Sequence, residues 1–90
     1  MTLKYIGERA NKRLTGKSFC CGELYTENPK EFDKIDEIAF ILENEYKWKV
    51  ELFGSSDYEH AIITVFDRDD FDTLMENYKE AKQRVIDSYK

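Results

Sequence analysis

The residues able to do chemistry are few, and their spacing argues against most of it. Cys20 and Cys21 are adjacent, and His60 is the single histidine. On a strand, neighbouring side chains point to opposite faces, so two adjacent thiols do not serve one zinc ion, and the usual spacer of about two to four residues is missing. A vicinal disulfide needs a strained ring and an oxidising compartment. A Cys–His nucleophilic pair is available in composition, but no third orienting group and no oxyanion signal accompanies it. The expectation is a small buried hydrophobe beside an exposed thiol.

The acidic run Asp67-Arg68-Asp69-Asp70-Phe71-Asp72 superficially suggests calcium. It lacks the glycine and the closing glutamate of an EF-hand loop, and Phe71 stands where an oxygen ligand belongs. Paired carboxylates are plentiful, but with 19 acids in the chain their proximity says little about general acid–base work. The sequence leads us to expect no catalytic residues, no metal site and no cofactor.

Two non-catalytic constellations remain. Of the 14 Lys and Arg, five (Lys4, Arg9, Lys12, Arg13 and Lys17) fall in residues 1–18 against the single acid Glu8, so the other acids all lie in the rest of the chain. This basic segment with Tyr5 among its charges can meet phosphates by counterion release, although the acidic body repels a duplex over most of its surface. The second constellation is Phe40 with Ile41, which fall off the core stripe of a helix. Asp33, Asp36, Glu37, Glu43 and Asn44 surround Phe40. A large apolar residue ringed by polar ones is the pattern of a binding hot spot. The competing reading has the N-terminal segment cover Phe40 with Leu3, Ile6 or Leu14, its basic residues meeting the acids.

The elements that position these residues are legible between residues 28 and 67. Asn28 can cap a helix, Pro29 suits its first position, and Glu31 can close a capping box. Phe32, Ile35, Ile38, Ala39, Leu42 and Tyr46 then recur at spacings of three and four, which defines a buried face. After Tyr46 the period becomes two: Trp48, Val50 and Leu52 alternate with Lys47, Lys49 and Glu51. Gly54-Ser55-Ser56-Asp57 turns the chain into a second strand over residues 58–66. That strand is apolar on both faces (Ala61, Ile63 and Val65; Ile62 and Phe66), so a central position is expected.

On either side the signals continue. Residues 17–26 read as a strand interrupted by Gly22. A crossover through the first helix should bring that strand into the same sheet, parallel to one member of the later hairpin. Asp67 caps a last helix whose stripe is Phe71, Leu74, Met75, Tyr78, Ala81, Val85, Ile86 and Tyr89. The first sixteen residues are the least legible. Leu3, Ile6, Ala10 and Leu14 share a helical face, and residues 8–14 hold no β-branched residue, so a helix is preferred there, with a short strand over residues 3–6 as the alternative. The expected fold class is α+β: a single small domain with a mixed sheet of about three strands, two long helices packed on one face, and a basic segment over residues 1–16 leading into a compact domain over 17–90.

Composition bounds the rest. Ninety residues suffice for one modest core, and 37% charged with 41% apolar residues reads as a soluble globular chain. No apolar run approaches the roughly 20 residues of a membrane helix, and no secretory signal is visible, so a cytoplasmic location and no membrane partner are expected. Aromatic content of 14% favours interfaces. The functional expectation is a non-catalytic interaction module that modulates or inhibits a macromolecular partner, a protein with a basic surface, through its acidic aromatic-bearing face. By analogy alone, a phage-type inhibitor presenting carboxylates where a partner expects phosphates is one such module. The alternative is a nucleic-acid-binding accessory protein using the basic segment.

Overall fold

A computed structural model describes the backbone of residues 1–11 and 17–89 and the side chains of residues 1–6 and 21–89. The chain runs β1 (Thr2–Asn11), β2 (Lys17–Thr26), α1 (Phe32–Asn44), β3 (Lys49–Gly54), β4 (Glu59–Val65) and α2 (Arg68–Ser88). The strands form one sheet in the order β1-β2-β4-β3, and every neighbouring pair is antiparallel. The α+β class holds, but the expected mixed sheet of three strands is a four-stranded antiparallel one. β2 and β3 do run parallel, as a crossover through α1 requires, yet β4 lies between them. β4 is central, as its two apolar faces imply.

The additional strand is β1, and it corrects the helix preferred over residues 8–14: residues 8–11 are strand, and 12–14 lie outside the described residues. Its pairing with β2 shifts register between Tyr5 and Gly7, where one extra residue is accommodated. Met1, Leu3 and Tyr5 alternate and pack against the core, but the insertion breaks the period of two beyond Tyr5. Propensity alone then pointed to a helix, and pairing with β2 overrode it.

Both helices cover the same side of the sheet. Leu24, Ala61, Ile63 and Val65 from the strands meet Ile35, Ile38, Ala39 and Leu42 of α1 and Phe71, Leu74, Tyr78, Ala81 and Val85 of α2 in one core. Full burial of each large aliphatic side chain contributes roughly 2 kcal/mol against the entropy of ordering the chain. Two members of the expected stripe of α2 lie outside this core: Ile86 and Tyr89 are exposed. α2 has 21 residues and is about 31 Å long, and Val85 near its end still reaches the core while Ile86 and Tyr89 turn to solvent. Among the described residues, no helix is long and apolar enough to cross a membrane.

The helix ends follow local rules with two changes. Asn28 accepts from the Lys30 N–H at 3.1 Å, but it caps a short 3-10 turn, Pro29–Glu31, that leads into α1. Glu31 does not close a box on Asn28. Its Oε1 accepts from the Thr26 hydroxyl at 2.8 Å and from the Met1 ammonium at 3.1 Å, and the bond from Thr26 chiefly holds its pKa below the usual carboxylate value. Asp67 caps α2, accepting from the Asp70 N–H at 2.9 Å, while Asp70 Oδ2 accepts from the Phe66 N–H at 2.7 Å. Phe66 therefore lies past the end of β4, 88% exposed, rather than inside the strand.

Two backbone positions make testable demands. At Gly22 a Cβ would stand 3.0 Å from Leu74 Cδ2 and 3.0 Å from Phe71 Cε2, so the glycine marks where α2 touches the sheet backbone. Gly22→Ala should cost about 1–3 kcal/mol through overpacking, read as a lower midpoint in thermal or denaturant unfolding. Lys47, three residues past the end of α1, has φ of 64°, and the Trp48 N–H beyond it returns to the Leu42 carbonyl at 3.0 Å. Glycine relieves the cost of a left-handed side chain, so Lys47→Gly should stabilise the fold by about 0.5–1 kcal/mol in the same measurement.

Candidate partner-binding surface

α1 presents two faces because its apolar residues do not all fit one stripe. Ile35, Ile38, Ala39 and Leu42 go to the core, and Phe40 is left 66% exposed. Beside it runs an open groove of about 500 Å³ between α1 and α2, lined by Asp36, Glu37, Phe40 and Ile41 on one wall and by Arg84, Val85 and Ser88 on the other. The first wall brings together four of the residues singled out in the sequence. Ile41 is corrected in one respect: although it falls off the core stripe in the sequence, it is partly buried against the core. Asp33 sits one turn before Asp36, exposed. Asn44 sits one turn after Phe40, and its amide donates back to the Phe40 carbonyl at 2.9 Å.

The N-terminal segment does not cover Phe40 in the way the competing reading required. β1 is the edge strand on the far side of β2, and Leu3 packs against the common core; Leu14 lies outside the described residues. The second wall of the groove was not legible, because nothing in the sequence says which face of α2 lies against α1. Bonds between distant segments set that pairing. Tyr46 Oη donates to Glu80 Oε2 at 2.7 Å, Trp48 Nε1 donates to Asn77 Oδ1 at 2.8 Å, and Arg84 Nη1 meets Glu45 Oε2 at 2.9 Å. Asn77, Glu80 and Arg84 recur at spacings of three and four, so one stripe of α2 grips the end of α1 and the start of β3. Their i, i+3, i+7 spacing is a signal the sequence held, without the partner that gives it meaning.

Asp36, which lines the groove, also meets other carboxylates. Asp36 Oδ1 is buried with no hydrogen-bond donor among the described residues. Glu59, at the start of β4, is pushed up to about 7, first by burial, then by a hydrogen bond to the Asp36 carboxyl and by the charges of Asp36 and Asp33. A proton held between the two carboxyls provides the donor that neither carboxylate has alone. Asp36 thus faces the groove from a site where negative charge is already in excess.

Of the basic residues, Lys4 is exposed and stands opposite Glu23 in the β1–β2 register. Arg9 pairs through its backbone with Phe19, and Lys17 with Asn11, but their side chains lie outside the described residues, as do Lys12 and Arg13 altogether. Arg68, outside that set, stacks over the rings of Tyr5 and Phe71, 4.9 Å and 5.4 Å from their centroids. The Cys–His pair is not formed. Cys21 is buried and its register partner on β4 is Thr64, with Val65 opposite Cys20. His60 lies four and five residues along that strand, a separation of about 13 Å or more.

The acid pair makes stability depend on pH with a definite sign. Folding raises the Glu59 value from an ordinary 4.5 to about 7, so between those values the folded chain holds more protons than the unfolded one. Stability should fall as pH rises through that window and then level off. Glu59→Gln keeps a donor for Asp36 without the charge. Its melting temperature should exceed that of the wild type at about pH 8 and converge with it near about pH 4.5, as measured by thermal melts across pH.

No protein-family model, no curated protein and no solved structure matches this chain, so its function must be argued from its own residues.

Proposed function

We propose that this chain is a non-catalytic interaction module that binds a protein with a basic surface through the acidic, Phe40-bearing face of α1, and that occupying this face modulates or inhibits the partner. The observation that carries the reading is the exposure of Phe40 on a helix that is held at both ends, beside an open groove flanked by Asp36 and Glu37. An aromatic side chain on a rigid helix loses little entropy on docking, and a partner pocket that desolvates it gains the large contribution typical of an anchor. The surrounding carboxylates act mainly on association rate and partner choice, and salt screens that action. Asn44 contributes less than the acids, because its amide is engaged with its own helix.

Capture of partners from the native host with wild-type and Phe40→Ala protein as bait, followed by titration of the recovered partner, tests this reading. Phe40→Ala should keep the circular dichroism spectrum and melting temperature of the wild type and bind about tenfold more weakly or worse. A drop of several degrees in melting temperature would instead place Phe40 in the core and remove the surface. Equal binding by both baits would move the interface elsewhere.

A further inference from the structure

The face of the sheet turned away from the helices carries a second surface. Leu24, Ala61 and Leu52 share a register row on the helix side, so the adjacent row, Tyr25, His60 and Phe53, points to the other side. Tyr58, at the end of the turn between β3 and β4, joins that row. Its ring stacks on Tyr25 at 6.2 Å with 29° between planes, and the His60 ring meets Tyr25, Tyr58 and Phe53 edge-on at 6.4, 5.4 and 5.2 Å. His60 is the hub, with Tyr25 and Phe53 on the strands to either side of it. These residues come from three separate segments, and only strand pairing brings them together. Tyr58 is exposed, and the other three are half-buried.

The charge around this cluster is negative. Glu23 Oε2 lies 3.3 Å from His60 Nδ1, and Glu27 Oε1 accepts from the Tyr25 hydroxyl at 2.7 Å. Asp57 precedes Tyr58. Among the described side chains, the cations of the same face lie farther off. Lys4 is on the far side of Glu23, and Lys49 is opposite Thr64, four residues along β4 from His60. The bond to Glu27 chiefly pushes the Tyr25 hydroxyl above its ordinary pKa, with Glu23 adding to it.

Aromatic faces carry negative potential, and carboxylates at their edge deepen it, which repels phosphate and attracts a cation. Among biological cations the guanidinium suits such a site best, because it is planar, weakly hydrated, able to stack on a ring and able to hold a carboxylate with its edge. We propose that the open sheet face at Tyr25, Tyr58 and His60 docks an arginine-bearing segment of a protein partner, the guanidinium stacking on the tyrosine rings and bonding to Glu23 or Glu27. This surface lies across the sheet from Phe40 and stands independently of it.

The test titrates the whole chain with a blocked peptide of alternating glycine and arginine, its lysine counterpart, and oligothymidylate, following the ring resonances of Tyr25, Tyr58 and His60 by NMR. The arginine peptide should move those resonances saturably, with the lysine peptide binding about threefold more weakly and oligothymidylate leaving them in place. Tyr58→Ala should weaken arginine-peptide binding by about threefold to fivefold, and Phe40→Ala should leave it unchanged. Should Tyr58→Ala perturb the fold, Glu27→Gln combined with Asp57→Asn keeps every ring and should still weaken binding. Unmoved resonances at millimolar arginine peptide would overturn the proposal. So would equal response to both peptides with no effect of either variant. Tighter binding of oligothymidylate would overturn it in favour of single-stranded nucleic acid.

Discussion

The contact of α2 with the backbone of β2 at Gly22 is the constraint from which the rest of the arrangement follows. Gly22, Ile63 and Val50 lie side by side across β2, β4 and β3. With no side chain on Gly22, Phe71 and Leu74 descend to van der Waals distance of the strand. This sets the depth and the track of α2. Because α1 must share the same apolar side of the sheet, the two helices lie next to each other over one continuous core. The groove beside Phe40 is where these two cylinders diverge near the exposed end of α2, and the open sheet face is the side that neither helix reaches. Both proposed surfaces are thus consequences of one packing decision, made on opposite sides of the sheet.

Electrostatics gives those surfaces their character. The chain carries a net charge of −5, and the structure concentrates carboxylates where they are imperfectly compensated. Asp33, Asp36 and Glu59 crowd the start of α1, and Glu23 and Glu27 flank the tyrosine rings. Elsewhere the chain neutralises itself. Arg84 meets Glu45, and Lys34, Arg68 and Lys82 lie over the rings of Tyr89, Tyr5 and Phe71, and Tyr78. Among the described residues these four cations lie on the helical side of the sheet, while Glu23 and Glu27 border the tyrosine rings of the other side. An acidic aromatic surface selects for a basic partner by attraction and against nucleic acid by repulsion.

The Cys–His, zinc and calcium readings illustrate how little residue type means without geometry. Cys21 and His60 sit on neighbouring strands, but register places Thr64, not His60, opposite Cys21. The acids after Asp67 are consumed by the start of α2: Asp67 accepts from Asp70, and Asp70 accepts from Phe66. A helix start explains the run completely.

Features encoded by local rules were legible in the sequence. The caps at Asn28 and Asp67 depend on bonds spanning two or three residues, and the buried faces of α1 and α2 depend on a period of 3.6, so both could be read from spacing. The central place of β4 was legible because a strand buried on both sides must be apolar on both sides. The departure of Phe40 from the core stripe of α1 was legible too, but that nothing from the N-terminal segment covers it was decided by the tertiary structure. What only the tertiary structure decided are the features set by contacts across long stretches of chain. β1 is a strand because β2 pairs with it, against the local preference of residues 8–11. Arg84, Val85 and Ser88 line the groove because α2 is held to α1 and β3 through Tyr46, Trp48 and Glu45. Tyr25, Phe53, Tyr58 and His60 meet because antiparallel register aligns them. Spacing determines which face a residue occupies; pairing between distant segments determines what that face meets, and no period in the sequence carries that information.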